Sequence, residues 1–110
     1  MEPTSTHNPT TVAALLGIDQ LAFVLGTHKM IARHAALGSP LTTDGTVTRL
    51  AVLGDVLDAL LASGRTRSQI KVWLVTPNSH LAGFTPEVLI RDHGDAVPVG
   101  DRLRLAARDA

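Results

Sequence analysis

The segment Leu21–Pro40 reads LAFVLGTHKMIARHAALGSP and predicts two short helices that meet at a tight turn. Gly26 can adopt the left-handed backbone conformation that such a turn requires. Ala22 is small and lies where the two helices would approach each other closely. Gly38 would end the second helix after about three turns. We therefore predict a helix-turn-helix unit in this segment, with Thr27 as the N-cap of its second helix.

The composition of the whole chain favours an all-α fold. Hydrophobic residues make up 45% of the 110 residues, whereas aromatic residues make up only 3%. A core must therefore be built from Leu, Val, Ala and Ile, which pack well as aliphatic ridges between helices. Charged residues make up only 18% of the chain, and together with the high hydrophobic content this argues against intrinsic disorder.

Helical periodicity continues on both sides of this segment, with apolar residues at i, i+3 and i+4 spacing. Gly and Pro residues separate the periodic stretches and so predict where the helices end. The predicted boundaries are Thr10 to Gly17, Thr46 or Thr48 to Ala62, Thr66 or Ser68 to Pro77, Thr85 to about Asp92, and Val97 onward. Residues 1–9 are polar and contain two prolines, so we expect a flexible N-terminus there.

The segment Trp73–Gly94 reads WLVTPNSHLAGFTPEVLIRDHG and contains the only tryptophan. We expect this tryptophan to lie on the apolar face of its helix and to add area to the core. A proline then stops the helix, an asparagine and a glycine allow a turn, and Thr-Pro starts the next helix. The residues with these architectural roles are Trp73, Pro77, Asn78, Gly83, Thr85 and Pro86.

Both segments resemble parts of one known family. The Leu-Ala-x-x-Leu-Gly pattern at Leu21–Gly26 is similar to the start of Xre-type, phage-repressor-like helix-turn-helix domains. The pattern of Trp73–Gly94 resembles the C-terminal toxin-binding domain of the Xre/MbcA/ParS antitoxin family, and the long helix before it also fits. The resemblance covers about Ile18 to Leu105. It implies an Xre-like helix-turn-helix region at residues 10–45, followed by a small helical toxin-binding domain at residues 46–110.

The resemblance implies that the helix after Gly26 recognises operator DNA. Lys29 and Arg33 are spaced i, i+4 on one helical face, which suits contacts to phosphate or guanine. The side chains expected to face DNA are Thr27, His28, Lys29, Met30, Arg33 and His34. The chain departs from the family at Thr27, where an apolar residue is usual, and at Ala35, where a larger residue is common. A helical hairpin with a basic exposed face is the alternative interpretation.

The resemblance also implies a protein partner. Family members are usually encoded with a RES-type toxin, an enzyme that consumes NAD, and their C-terminal region occludes the toxin's active site. The expected inhibitory contact lies in residues 97–110, with Arg102, Arg104 and Arg108 as its charges. Arg104 and Arg108 would share a helical face, although a solvated amphipathic helix end is an equal alternative. Autorepression of the operon by a homodimer, or by a larger toxin–antitoxin complex, completes the implied function.

Several classes of function find no support in the residues. The chain has no cysteine, and its five histidines form no His-x-x-x-His pair, so we expect no metal, no cofactor and no enzyme activity. The net charge of zero counts against a sequence-independent nucleic-acid coat. No signal peptide or membrane-spanning stretch is evident, so we expect a cytoplasmic protein. The alternatives to an antitoxin are a regulator without a toxin partner and a protein-interaction module that has lost DNA binding.

Overall fold

A computed structural model describes residues 7–41 and 44–110, and these residues form an all-α fold. Within them, seven α-helices and one short 3-10 helix account for all regular secondary structure, and no strand occurs. The helices are α1 (Pro9–Leu16), α2 (Ile18–Leu25), α3 (Lys29–Ala36), α4 (Asp44–Ala62), α5 (Arg67–Val75), α6 (Pro86–His93) and α7 (Val97–Arg108), and the 3-10 helix spans Ser79–Leu81. The prediction of an all-α fold is confirmed.

Local sequence signals set the ends of the first two helices. The Asn8 side chain accepts a hydrogen bond from the backbone N–H of Thr10 at 2.8 Å, and Pro9 occupies the first helical position of α1. Gly26 ends α2 with φ of 65°, in the left-handed region that the turn was predicted to need. The backbone N–H of Thr27 bonds to the carbonyl of Ala22, so the chain reverses within three residues and enters α3.

One hydrophobic core receives side chains from all seven α-helices. Its buried hydrophobic residues are Leu, Val, Ala and Ile only, as the composition predicted. The 19-residue helix α4 is about 28 Å long and runs through the middle of this core. Its inner face consists of fully buried aliphatic residues: Leu53, Val56, Leu57 and Leu60. Helix α4 packs most extensively against α7, while α3 packs on α1 and α2.

The observed start of α4 differs from the predicted start. Helix α4 begins at Asp44, two residues before the earliest predicted start, and Thr46 lies buried in its first turn. The expected domain division after residue 45 therefore falls inside α4, and helices on both sides of it share the same core. Residues 1–6 of the expected flexible N-terminus, and residues 42 and 43 of the expected loop, lie outside the described residues.

The segment between α5 and α6 folds into a compact turn around Asn78. The Asn78 side chain accepts a hydrogen bond from the N–H of His80 at 2.9 Å, which caps the 3-10 helix. The Asn78 backbone accepts from Gly83 and donates to Phe84, so the loop closes on itself. Gly83 has φ of 86°, which few residues other than glycine adopt. Pro86 then occupies the first position of α6 and is buried. In these contacts Asn78, Gly83 and Pro86 build the turn that joins α5 to α6.

No helix in the described part of the chain combines the length and the apolar character needed to cross a lipid bilayer.

Candidate nucleic-acid interface and protein-binding surfaces

Helix α3 follows the Gly26 turn as predicted, but its N-cap is His28 and not Thr27. The His28 imidazole Nδ1 accepts a hydrogen bond from the backbone N–H of Met30 at 3.1 Å. Thr27 lies one residue earlier and is partly buried. The prediction of the cap was wrong because it considered only the hydroxyl, whereas an imidazole nitrogen reaches the same backbone N–H from the next position.

Helix α3 buries only a narrow face of small side chains. Ala32 and Ala35 are the buried residues of α3, at 0% and 3% exposure. Because both are alanine, α3 can lie close to α1 and α2 while its larger side chains point outward. Of the side chains expected to face DNA, all but Thr27 are exposed: His28, Lys29, Met30, Arg33 and His34. The turn and the helix thus present these residues together on one surface, which also includes the half-exposed Ile31.

An acidic residue of α2 contacts this surface. The Lys29 ammonium lies 2.8 Å from a carboxylate oxygen of Asp19, so the first basic residue of α3 is paired in the free protein. Hydrogen bonding to Lys29, followed by its positive charge and that of Arg33, holds the pKa of Asp19 below its ordinary value of 3.8. Arg33 is exposed and has no ion pair among the described side chains. Sequence reasoning missed Asp19, which precedes the motif and is ten residues from Lys29.

The expected toxin-binding tail is a packed helix. Helix α7 buries Leu103, Ala106 and Ala107 against the core and so forms part of the folded body. Its outward face carries two exposed apolar side chains, Val97 at 73% and Leu105 at 56% exposure. Burying one helical face while exposing apolar residues on the other leaves a surface suited to a protein partner.

The three arginines of α7 differ in their availability. Arg102 and Arg108 are exposed, whereas the Arg104 side chain is only 29% exposed. The Arg104 Nε donates to Asp55 of α4 at 2.7 Å, and its Nη1 lies 3.3 Å from Asp101. Arg104 therefore joins α7 to α4 and does not share the open position of Arg108. The charges that a partner can reach directly on this helix are Arg102 and Arg108.

A second polar contact extends the Arg104 pair towards the N-terminus. His7 Nε2 lies 2.7 Å from Asp55, and His7 Nδ1 lies 3.9 Å from Asp58. Burial raises the pKa of Asp55, but hydrogen bonds from His7 and Arg104, with their charges, outweigh burial and leave this pKa lowered. The imidazole lies over the buried Gly54, where an added Cβ would come within 2.5 Å of the ring. This contact places residue 7 against α4.

Within the described residues, His7, Asp55 and Asp58 are also the side chains that could together ligate a metal ion. Ligand atoms of His7, Asp55 and Asp58 lie within 4.8 Å of one another. However, the Arg104 guanidinium already holds a carboxylate oxygen of Asp55 and would repel a cation. The arrangement fits an ion-pair network between α4, α7 and the start of the chain, and the absence of a metal stays a prediction.

Trp73 lies at the surface and only partly in the core. Ile70 and Leu74 are the buried residues of α5, while Trp73 packs against the core from its edge. Trp73 lines an open hollow of about 400 Å³ beside Val72, which is 61% exposed. Trp73 therefore adds area to the core from its edge, in a partly buried position. A tryptophan with an exposed aliphatic neighbour is typical of protein-binding surfaces.

No family model matches this chain, and neither a curated protein nor a solved structure was found to be similar to it. The features of this chain that bear on function are consequently the geometry of the α2–α3 unit, the outer face of α7 and the sequence resemblance.

Proposed function

We propose that this protein is an antitoxin of a toxin–antitoxin pair, which binds operator DNA through α3 and neutralises a RES-type toxin through its C-terminal region. The single observation that carries the proposal is the surface of α3. A left-handed Gly26 turn delivers a helix that buries only Ala32 and Ala35 and exposes Lys29 and Arg33. This combination supplies what a major-groove reader needs: a rigidly placed helix with outward basic side chains.

The proposed toxin contact is the outer face of α7. Val97 and Leu105 supply exposed apolar area, and Arg102 and Arg108, which form no ion pair with a described side chain, supply positive charge on the same helix. Apolar anchors flanked by arginines are the composition that protein interfaces favour. In the proposed mechanism this face covers the toxin's active-site cleft, and a dimer of the antitoxin represses the shared operon.

The DNA arm is tested with a duplex from the promoter of the chain's own gene and a duplex of equal length and random sequence. Lys29→Ala with Arg33→Ala should abolish the preference for the promoter duplex, as measured by fluorescence anisotropy. The control is Arg65→Ala, which removes a positive charge from the loop after α4. Unchanged promoter preference in the double variant contradicts the assignment of α3.

The toxin arm requires point substitutions, because deletion of residues 97–110 would remove the buried residues Leu103, Ala106 and Ala107 and unfold the protein. Leu105→Asp and Arg108→Glu change only exposed side chains. Co-expressed with a RES-type protein encoded beside it, the wild-type chain should restore growth, and the double variant should not. Full protection by the double variant contradicts α7 as the contact.

A protein-interaction module is a second candidate function, and the surface at Trp73 specifically favours it. This hollow does not involve α3, and its lining residues belong to the loop after α4 and to α5. A partner bound there would not require DNA. Loss of partner binding in Trp73→Ala, with promoter binding intact, would support this candidate, whereas loss only in the α7 variants would support the toxin contact proposed above.

A further inference from the structure

Two arginines from later helices, Arg49 of α4 and Arg91 of α6, flank the turn that leads into α3. A Cβ placed on Gly26 would lie 3.6 Å from Cγ of Arg91 and 4.0 Å from Nη1 of Arg49. Arg91 belongs to α6 and Arg49 to α4. Residues far apart in sequence therefore converge on the Gly26 turn.

Neither arginine is neutralised by a described acidic side chain. The ion pairs in the described part of the chain involve Lys29, Arg104 and His7, and they include neither Arg49 nor Arg91. The Nε of Arg49 is buried and has no hydrogen-bond acceptor in the same part. A guanidinium with an unsatisfied N–H and no carboxylate beside it is poorly compensated, so an anion that approaches its positive charge would be favoured.

The electrostatic field at the start of α4 further destabilises the uncompensated charge of Arg49. The Arg49 guanidinium folds back towards Gly45, in the first turn of α4, where a Cβ would lie 3.3 Å from Nη1. The start of an α-helix carries the positive end of its dipole, so it repels a cation and attracts an anion. Arg49 is thus held in a position whose electrostatics favour a bound anion.

Arg91 is fixed in place by an aromatic ring. Its guanidinium carbon lies 4.5 Å from the centre of the Phe23 ring, and Phe23 is on α2, three residues before Gly26. This contact orders the side chain without neutralising its charge, and the residue remains exposed. The planar guanidinium is therefore presented with little conformational freedom left to lose on binding a phosphate.

We propose that Arg49 and Arg91 form a phosphate clamp that grips the DNA backbone beside the turn into α3. The clamp rests on the proposed DNA binding and adds contacts from α4 and α6, in the region whose expected task is to bind the toxin. Phosphate contacts position a protein on DNA and carry no direct sequence information, whereas base contacts from α3 would specify the site. The ligand class is the phosphodiester.

The test compares Arg49→Gln, Arg91→Gln and the double variant with the wild-type protein. Fluorescence anisotropy with the promoter duplex and the random duplex is measured over a series of salt concentrations. Each substitution should weaken binding to both duplexes about tenfold and lower the slope of log affinity against log salt by about 0.9. The ratio between the two duplexes should stay at the wild-type value. Arg65→Gln is the matched control, because it removes the same charge from the loop that follows α4.

The outcomes separate the clamp from the proposed function. An unchanged slope in the double variant, or a loss confined to the promoter duplex, overturns the clamp while DNA binding stands. Wild-type protein that binds neither duplex overturns both. Inorganic phosphate alone could stabilise the wild type but not the double variant, while the slope of log DNA affinity against log salt stays unchanged. In that case the site binds a free anion, and its assignment to the DNA backbone is wrong. Arg91→Gln alone carries the test if Arg49→Gln does not fold, which circular dichroism would show.

Discussion

Replacing Asp19 by Asn should strengthen DNA binding, although Asp19 is not expected to touch DNA. In the free protein the Asp19 carboxylate lies 2.8 Å from the Lys29 ammonium, at the start of the proposed recognition helix. For Lys29 to contact a DNA phosphate, its ion pair with Asp19 must open, or Lys29 must bind the carboxylate and the phosphate together. The Asp19 carboxylate also repels the phosphates of the DNA backbone. The side chains of Lys29 and Asp19 are 55% and 81% exposed, so the pair contributes little to folding and its loss should leave the urea midpoint close to that of wild type.

The magnitude follows from the number of charges released. One freed ammonium allows about one additional phosphate contact, which would steepen the slope of log affinity against log salt by about 0.9. Over a fourfold change in salt, one such contact corresponds to about a 3.5-fold change in affinity. Asp19→Asn should therefore bind more tightly than wild type at low salt, and this advantage should shrink about 3.5-fold when salt is raised fourfold.

The control is Asp101→Asn, which removes the same formal charge from a different surface. Asp101 is an exposed acid that lies 3.3 Å from Arg104 on α7. Both variants raise the net charge equally, so only the position of the lost carboxylate differs between them. Fluorescence anisotropy with the promoter duplex measures both. If Asp19→Asn binds DNA no more tightly than Asp101→Asn, Lys29 does not face the DNA backbone. The proposal that α3 presents Lys29 to DNA is then refuted.

Two further predictions concern the stability of the fold. Thr66→Ala should lower the free energy of unfolding by about 1 kcal/mol, since the Thr66 and Gln69 side chains form a reciprocal capping box at the start of α5. Thr85→Ala should lower it by less than about 0.5 kcal/mol, because Thr85 makes no side-chain capping bond. Urea denaturation measures the loss of unfolding free energy in both variants, and equal losses would contradict the observed difference between the two N-caps. The pairing that lowers the pKa of Asp55 below 3.8 contributes stability above that pH, and the contribution is lost as pH falls through the folded-state pKa. The stability difference between wild type and Asp55→Asn, about 1 kcal/mol or less at neutral pH for so exposed a group, should therefore shrink below about pH 4, and a constant difference would show that the pairs with His7 and Arg104 do not form.

The helices could be predicted from sequence because their signals are local. Gly26 is left-handed because α2 must end and α3 must begin within three residues, and a glycine four positions after Ala22 already indicates this. Asn78 and Pro86 act within a few residues of themselves, as a capping side chain and as a first helical residue. Interactions with such short reach leave a pattern in the sequence that can be recognised without knowing the fold.

The partners of charged residues could not be predicted in the same way. Arg104 and Asp55 are separated by 49 residues, and nothing near either one indicates the other. The choice depends on how α7 lies along α4, which is a property of the packed core. The same holds for Arg49 and Arg91, which meet at Gly26 only after α4 and α6 have packed beside α2. Sequence reasoning therefore found α3 and missed the side chains that surround its start.

The position of Trp73 could not be predicted from sequence for a different reason. Helix α5 has apolar residues on every side, including Ile70, Val72 and Leu74, so periodicity does not decide which face packs inward. The structure buries Ile70 and Leu74, which are four residues apart, and this leaves Val72 exposed with Trp73 at the edge. A large side chain is expected in the core on average, whereas α5 buries Ile70 and Leu74 and leaves Trp73 partly buried.

The zero net charge and the proposed DNA binding are compatible, because DNA responds to the charges near it and not to their sum. Screening at physiological salt limits the reach of a surface charge to about 8 Å. Between α4 and α7, Asp55 pairs with Arg104 and contacts His7, so Arg104 adds little net positive charge there. Around the turn into α3, by contrast, Asp19 is the one described acidic side chain that forms an ion pair, and its partner is Lys29. The exposed Arg91 contacts the Phe23 ring and forms no ion pair with a described side chain. A protein can thus be neutral overall and still be locally positive where α3 begins, and the comparison of Asp19→Asn with Asp101→Asn measures this segregation directly.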